Sequence, residues 1–95
     1  MYFEWSEEKN EHLKNQRNVS FEAVQTAIQE GGLLDIHMHP NVQKYPNQLR
    51  LVINIDDYIY LVPCIPKENE IWFLKTIIPS RKATKDYLKN TNREL

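Results

Sequence analysis

The chain has 95 residues and a net charge of −1, with 41% hydrophobic and 26% charged residues. That suffices for one domain, no apolar run reaches the ~18 residues a membrane helix needs, and the lone Cys64 excludes an internal disulfide framework. Balanced charge alone points to no polyanionic partner, and Met1–Trp5 lacks a basic leader with an apolar stretch, so a cytoplasmic protein is expected.

Along the chain, Tyr2–Trp5 has room for a short strand. Ser6 is a good N-cap, with Glu7 and Glu8 in the first turn where the helix dipole favours anions. The helix that follows, about Glu7–Gln16, has Leu13 as its only large aliphatic residue. Without a wide apolar face, it packs through one or two anchors or also contacts a partner. Asn18 ends it, since Asn tolerates the left-handed conformation. Ser20 caps a second helix, Phe21–Glu30, with Phe21, Val24, Ala27 and Ile28 on one stripe and Gly31-Gly32 at its end.

From Leu33 the period becomes two. Leu34, Ile36 and Met38 alternate with Asp35, His37 and His39, as in a half-exposed strand. Pro40–Asn47 is a loop. Leu49–Ile55 and Tyr58–Ile65 are strands joined by a tight turn at Asp56-Asp57. The second is apolar on both faces, as near the centre of a sheet, and Pro63 is expected to leave a bulge or an unpaired edge at its far end. Pro66–Glu70 is a polar turn and Ile71–Ile78 a further strand. Ser80 caps a last helix, Arg81–Lys89, and Asn90–Leu95 is expected to fray. The expected fold is α+β, a single domain over residues 1–95. It has two N-terminal helices, an antiparallel four-stranded sheet and a C-terminal helix, with the helices on one face.

The charge is unevenly distributed. Residues 1–30 carry three Lys/Arg against six Asp/Glu (net −3), and residues 75–95 carry six against two (net +4). Arg81 and Lys82 sit in a helical first turn, where cations are unfavourable without an anion. Together with free backbone N–H groups they suit a phosphate. Arg81, Lys85 and Lys89 form a stripe, Lys75 is within reach, and Tyr87 can stack on a base. Pairing of this stripe with the acidic N-terminal third, or with an acidic protein, are the competing readings. His37 and His39 have a spacing that can bind zinc, with Asp35 on the same face, but no other cluster completes four ligands. An exposed polar face, catalysis or a partner contact are the other readings of these histidines. Cys64, inside an apolar strand, reads as a small buried hydrophobe.

Three segments resemble the BrnT-type toxins. Phe3-Glu4-Trp5-Ser6-Glu7-Glu8-Lys9 is similar to their aromatic-acidic opening strand and helix start. Asn18-Val19-Ser20-Phe21-Glu22 is similar to their Gly-Val-Ser-Phe-Glu-like joint, with Asn18 in place of the usual glycine. Thr76-Ile77-Ile78-Pro79-Ser80-Arg81-Lys82-Ala83-Thr84, followed by Tyr87, is similar to their last strand–helix corner. The order of these motifs covers most of the chain. The resemblance implies a RelE-like bacterial ribonuclease that arrests translation. It also implies a ribbon-helix-helix antitoxin that neutralises the toxin, the complex repressing its own operon.

Carried over residue by residue, Lys9 and Arg81 match the family pattern. Arg17 stands where the family often has His, Thr76 where it often has Arg, and a Pro-rich loop replaces a His-Ser-Glu-type segment within residues 35–50. Attack by a 2′-hydroxyl needs a base, an acid and cations at the phosphate, with no metal or cofactor. In this reading Arg81 and Lys82 stabilise phosphate charge, and Arg17, Lys75 and Lys85 extend the RNA contact. Lys9, His12 or His39 supplies proton transfer, and Tyr87 stacks on a base or joins that transfer. The expected partners are RNA and the antitoxin, with no membrane; the strand edge near Pro63 offers a homodimer. The alternative is a non-catalytic member of the same fold that binds protein or RNA, which Thr76 favours. A further alternative is a regulatory protein whose basic helix only forms ion pairs.

Overall fold

The computed structural model describes residues 1–92, with side chains through residue 88. The elements run β1 (Tyr2–Glu4), α1 (Glu7–Arg17), α2 (Phe21–Gln29), β2 (Leu33–Met38), β3 (Leu49–Ile55), β4 (Tyr58–Pro66), β5 (Ile71–Leu74), β6 (Ile78–Pro79) and α3 (Arg81–Asn92). They form one α+β domain, and no helix is long and apolar enough to cross a membrane.

Local chemistry explains the helices. The Ser6 side chain accepts from the Lys9 N–H and the Ser20 side chain from the Ala23 N–H, capping α1 and α2. Asn18 closes α1 at φ 54°. Leu13 is the one apolar anchor of α1; it joins Val19, Phe21, Val24 and Ala27 against Leu51, Ile53, Val62, Cys64 and Leu74. Trp5 stacks on Phe21 at 5.6 Å between ring centroids.

The sheet differs from the four antiparallel strands expected. It has six strands and is mixed, in the order β1-β5-β4-β3-β2, with β6 also paired to β4. The meander β2-β3-β4-β5 is antiparallel, and Asp56 and Asp57, both at positive φ, form its tightest turn. The short strand for which Tyr2–Trp5 has room does form, as β1, and it pairs parallel to β5 with Phe3 opposite Trp72. The expected last strand breaks at Lys75–Ile77, because Ile77 turns into the core and the strand resumes against Tyr60 and Leu61. Pro63 makes no free edge, contrary to expectation. Its carbonyl accepts from the Lys75 N–H, so its missing donor faces the gap between β5 and β6.

The helices also lie on two faces rather than one. Register places Leu49, Leu51 and Ile53 on the face of α1 and α2, and Arg50, Val52, Ile59 and Leu61 on the other. There α3 docks, the Thr84 hydroxyl accepting from the Ile59 N–H at 2.8 Å. A strand apolar on both faces needs cover on both, and α3 supplies the second. α3 continues to Asn92, past the expected end at Lys89. Residues 93–95, expected to fray, and the Lys89 side chain lie outside the described residues.

Gly32 joins α2 to the sheet at a close approach. Its N–H donates to the Ala27 carbonyl at 2.6 Å and its carbonyl accepts from Asn54 at 2.8 Å. A Cβ there would lie 2.7 Å from the Asn54 oxygen and 2.9 Å from the Ala27 oxygen, both main-chain atoms. Gly32→Ala is expected to destabilise the protein by about 1–3 kcal/mol in urea unfolding, the range for overpacking. An unchanged midpoint would refute this tight joint.

Candidate functional site

β2 carries its polar residues inward. Its register sets His37 opposite Arg50 and Asp35 opposite Val52, on the face beneath α3. Tyr87 belongs to the inward stripe of α3, with Ala83 and Thr84, and reaches over β2. The Tyr87 hydroxyl donates to Asp35 Oδ2 at 2.9 Å and lies 3.4 Å from His37 Nε2. His37 Nε2 is 3.0 Å from the same Asp35 oxygen, and Asp35 Oδ1 accepts from the Ile36 N–H at 2.9 Å.

These contacts fix protonation. The hydrogen bond from Tyr87, with those from the Ile36 N–H and His37, holds the Asp35 carboxyl below its usual range. An ionised carboxylate only accepts, so the His37 nitrogen facing it, Nε2, donates, and in the neutral ring Nδ1 holds the lone pair. Nδ1 makes no hydrogen bond among the described residues. Burial raises the Tyr87 phenol above its ordinary value, the bond to Asp35 raises it further, and Arg50 opposes both. Arg50 forms no ion pair among the described residues, and its buried Nε has no hydrogen-bond partner there. An imidazole oriented by a carboxylate, with a phenol and a guanidinium beside it, can move a proton next to an anion.

Of the residues assigned to proton transfer or RNA contact from the sequence, only Tyr87 joins this cluster. His39 follows the end of β2; its Nδ1 accepts from the Asn41 N–H and its ring lies 4.3 Å from that of Tyr45. Lys9 and His12 share a shallow depression on α1 with Ser6, Glu8 and Asn15, on the opposite side of the sheet. Arg17 donates to the Ile77 carbonyl at 2.6 Å, and Lys75 to Gln48 Oε1 at 3.2 Å. Arg81, Lys82 and Lys85 are exposed on the outward side of α3. Tyr87 follows Arg81 by six positions, which leaves the two roughly 120° apart around the helix, so they do not share a face. The Ser80 side chain already accepts from the Ala83 N–H at the start of α3.

Arg50 draws no notice in the sequence, whereas Asp35 and His37 stand there as a zinc-capable or exposed face, with catalysis as one reading of His37. The strand alternation had placed Asp35 and His37 on one face. What it lacked was α3 above them, a contact spanning 52 residues. Among the described residues, no three His, Cys, Asp or Glu side chains group to hold a metal ion. No family model, curated protein or solved structure matches the chain.

Proposed function

We propose that the protein is a BrnT-like toxin, a metal-independent endoribonuclease that cleaves RNA, inhibits translation and is held in check by an antitoxin. The observation that carries this reading is the Asp35–His37–Tyr87 hydrogen-bond cluster beside Arg50, with the outward basic stripe of α3 nearby. His37 Nδ1 takes the proton of a ribose 2′-hydroxyl. The 2′-oxygen attacks phosphorus and the 5′-oxygen leaves with a proton from water. Asp35 holds the imidazole in the correct tautomer and balances its charge once protonated. Arg50 offsets the charge gathering on phosphorus, and Arg81, Lys82 and Lys85 draw the backbone toward the site.

Induced expression in bacteria, with growth and total RNA integrity followed, tests this directly. Growth arrest with cleaved RNA, and cleavage by the purified protein in the presence of a chelator, is the expected result. Normal growth and intact RNA at confirmed folded expression would end the ribonuclease reading. Salt-sensitive RNA binding in that case would point to the non-catalytic module, because phosphate contacts release counterions.

A further inference from the structure

α3 covers only part of its side of the sheet. It packs on β4 at Ile59 and reaches β2 through Tyr87. Register extends the same face away from it in two rows across the strands. His37 lies opposite Arg50, Arg50 opposite Pro63, and the Lys75 N–H donates to the Pro63 carbonyl, so these four residues form one row. Two residues further along, the His39 N–H donates to the Gln48 carbonyl and Ile65 pairs with Phe73, so His39, Gln48, Ile65 and Phe73 form the next. The Lys75 ammonium donates to Gln48 Oε1 at 3.2 Å and joins the two rows. Ile65 and Phe73 are half-buried and stand outside the core packed beneath α1 and α2. Each end of the second row carries an aromatic ring with a lysine over it. Lys67 Nζ stands 5.0 Å from the centre of the Phe73 ring, and Lys44 Nζ 5.4 Å from that of Tyr45, whose ring packs 4.3 Å from His39. Glu4, beside Phe73 in β1, is paired with Lys67 at 3.4 Å.

We propose that single-stranded RNA lies across this open half of the face, perpendicular to the strands, with its phosphates along the His37–Lys75 row and its bases on the His39–Phe73 row. This deepens the ribonuclease reading and rests on its RNA substrate. Arg50, whose buried Nε has no partner among the described residues, holds the phosphate next to His37. Lys75, two strands away and about 10 Å from Arg50, holds a neighbouring one. Phe73 stacks one base and the His39–Tyr45 pair another. Gln48 stands between them, with an amide that can donate and accept at a base edge. A base on Phe73 displaces Lys67, because stacking outweighs an exposed cation–π contact, and the freed ammonium turns to phosphate. The two rows lie about 7 Å apart, and a four-stranded face takes about two or three bases. The strand must be unpaired, because a duplex hides the base faces that these rings would stack on.

Fluorescence anisotropy on the intact chain tests this path, with a short 2′-O-methyl oligonucleotide as probe, since it binds without being cleaved. The single strand is expected to bind and its duplex to bind more weakly. Phe73→Leu is expected to weaken single-strand binding by about 5–100-fold, the worth of one stacked base, with the salt slope unchanged. Lys75→Gln is expected to weaken binding and to lower the salt slope by about 0.7, one phosphate contact on a single strand. Melting temperatures equal to the wild type show that the variants fold. A 4-thiouridine in the same oligonucleotide is expected to cross-link the wild-type chain within β5 or the Pro40–Asn47 loop, a result that depends on no variant. Absence of binding, equal binding of the duplex, unchanged affinity in a folded Phe73→Leu, or cross-links confined to α3 would each overturn the path. RNA cleavage by a chain whose Phe73→Leu variant binds normally would leave the ribonuclease reading standing and move its substrate elsewhere. Binding across the face by a chain that cleaves no RNA would leave the path standing and end the ribonuclease reading.

Discussion

His37→Ala is expected to slow RNA cleavage by about 10²–10⁴-fold, the usual contribution of a positioned general base, and to leave RNA affinity nearly unchanged. The expectation follows from the protonation pattern. Asp35 accepts from Tyr87, the Ile36 N–H and His37, and stays ionised. The Nε2 proton of His37 is thereby committed, and in the neutral ring Nδ1 is the nitrogen that acts as base. Tyr87 keeps its proton through the neutral range because burial and the bond to Asp35 both raise its phenol. Arg81→Ala separates binding from chemistry. Arg81 is exposed on the outward side of α3, away from Tyr87, so its loss should weaken binding at every sequence and lower the salt slope by about 1. Single-turnover cleavage at saturating protein, beside affinity measured across a salt series, distinguishes the two variants. Full cleavage by His37→Ala would remove the cluster from the mechanism.

What could be read from the sequence is what lies within a few residues of itself. Ser6 and Ser20 each cap a helix by accepting from an N–H three residues on, and Asp56-Asp57 closes a two-residue hairpin. Such signals are local and carry their own geometry. The misses are long-range. β1 has only three residues, and its partner β5 is more than sixty residues away, so no periodicity could reveal the pairing. Pro63 looked like an edge residue because a proline lacks a donor, yet the break between β5 and β6 gives that missing donor a place in a central strand. The same distance hid the site. Asp35 and His37 were legible as one face of a strand, but the side of the sheet that α3 covers is a tertiary fact. The doubly apolar β4 held the clue, since Ile59 and Val62 point to opposite faces and both are fully buried.

Asn10→Ala is expected to lower stability by about 2–4 kcal/mol, which combines a stranded buried donor with a small cavity. Asn10 is the one buried polar residue among those described. Its Oδ1 accepts from the Phe21 N–H at 2.8 Å and its Nδ2 donates to Glu22 Oε1 at 2.7 Å. One side chain of α1 thus satisfies a main-chain group at the start of α2, where Phe21, itself fully buried, enters the core. Because α1 has little apolar surface, this bond, Leu13 and the Arg17 bond to the Ile77 carbonyl carry its attachment. Against a typical total of about 5–15 kcal/mol, the loss should shift the urea midpoint substantially. It should also depend on pH. The hydrogen bond from Asn10 is the largest cause holding the Glu22 carboxyl below its usual value. A carboxyl depressed on folding stabilises above its unfolded pKa, and that contribution is lost as pH falls through the folded value. The difference between wild type and Asn10→Ala should therefore be largest near neutrality and shrink below the ordinary carboxylate range. A difference that stays constant into acid would assign the whole effect to the Phe21 N–H, and an unchanged midpoint at neutral pH would show that α1 is held elsewhere.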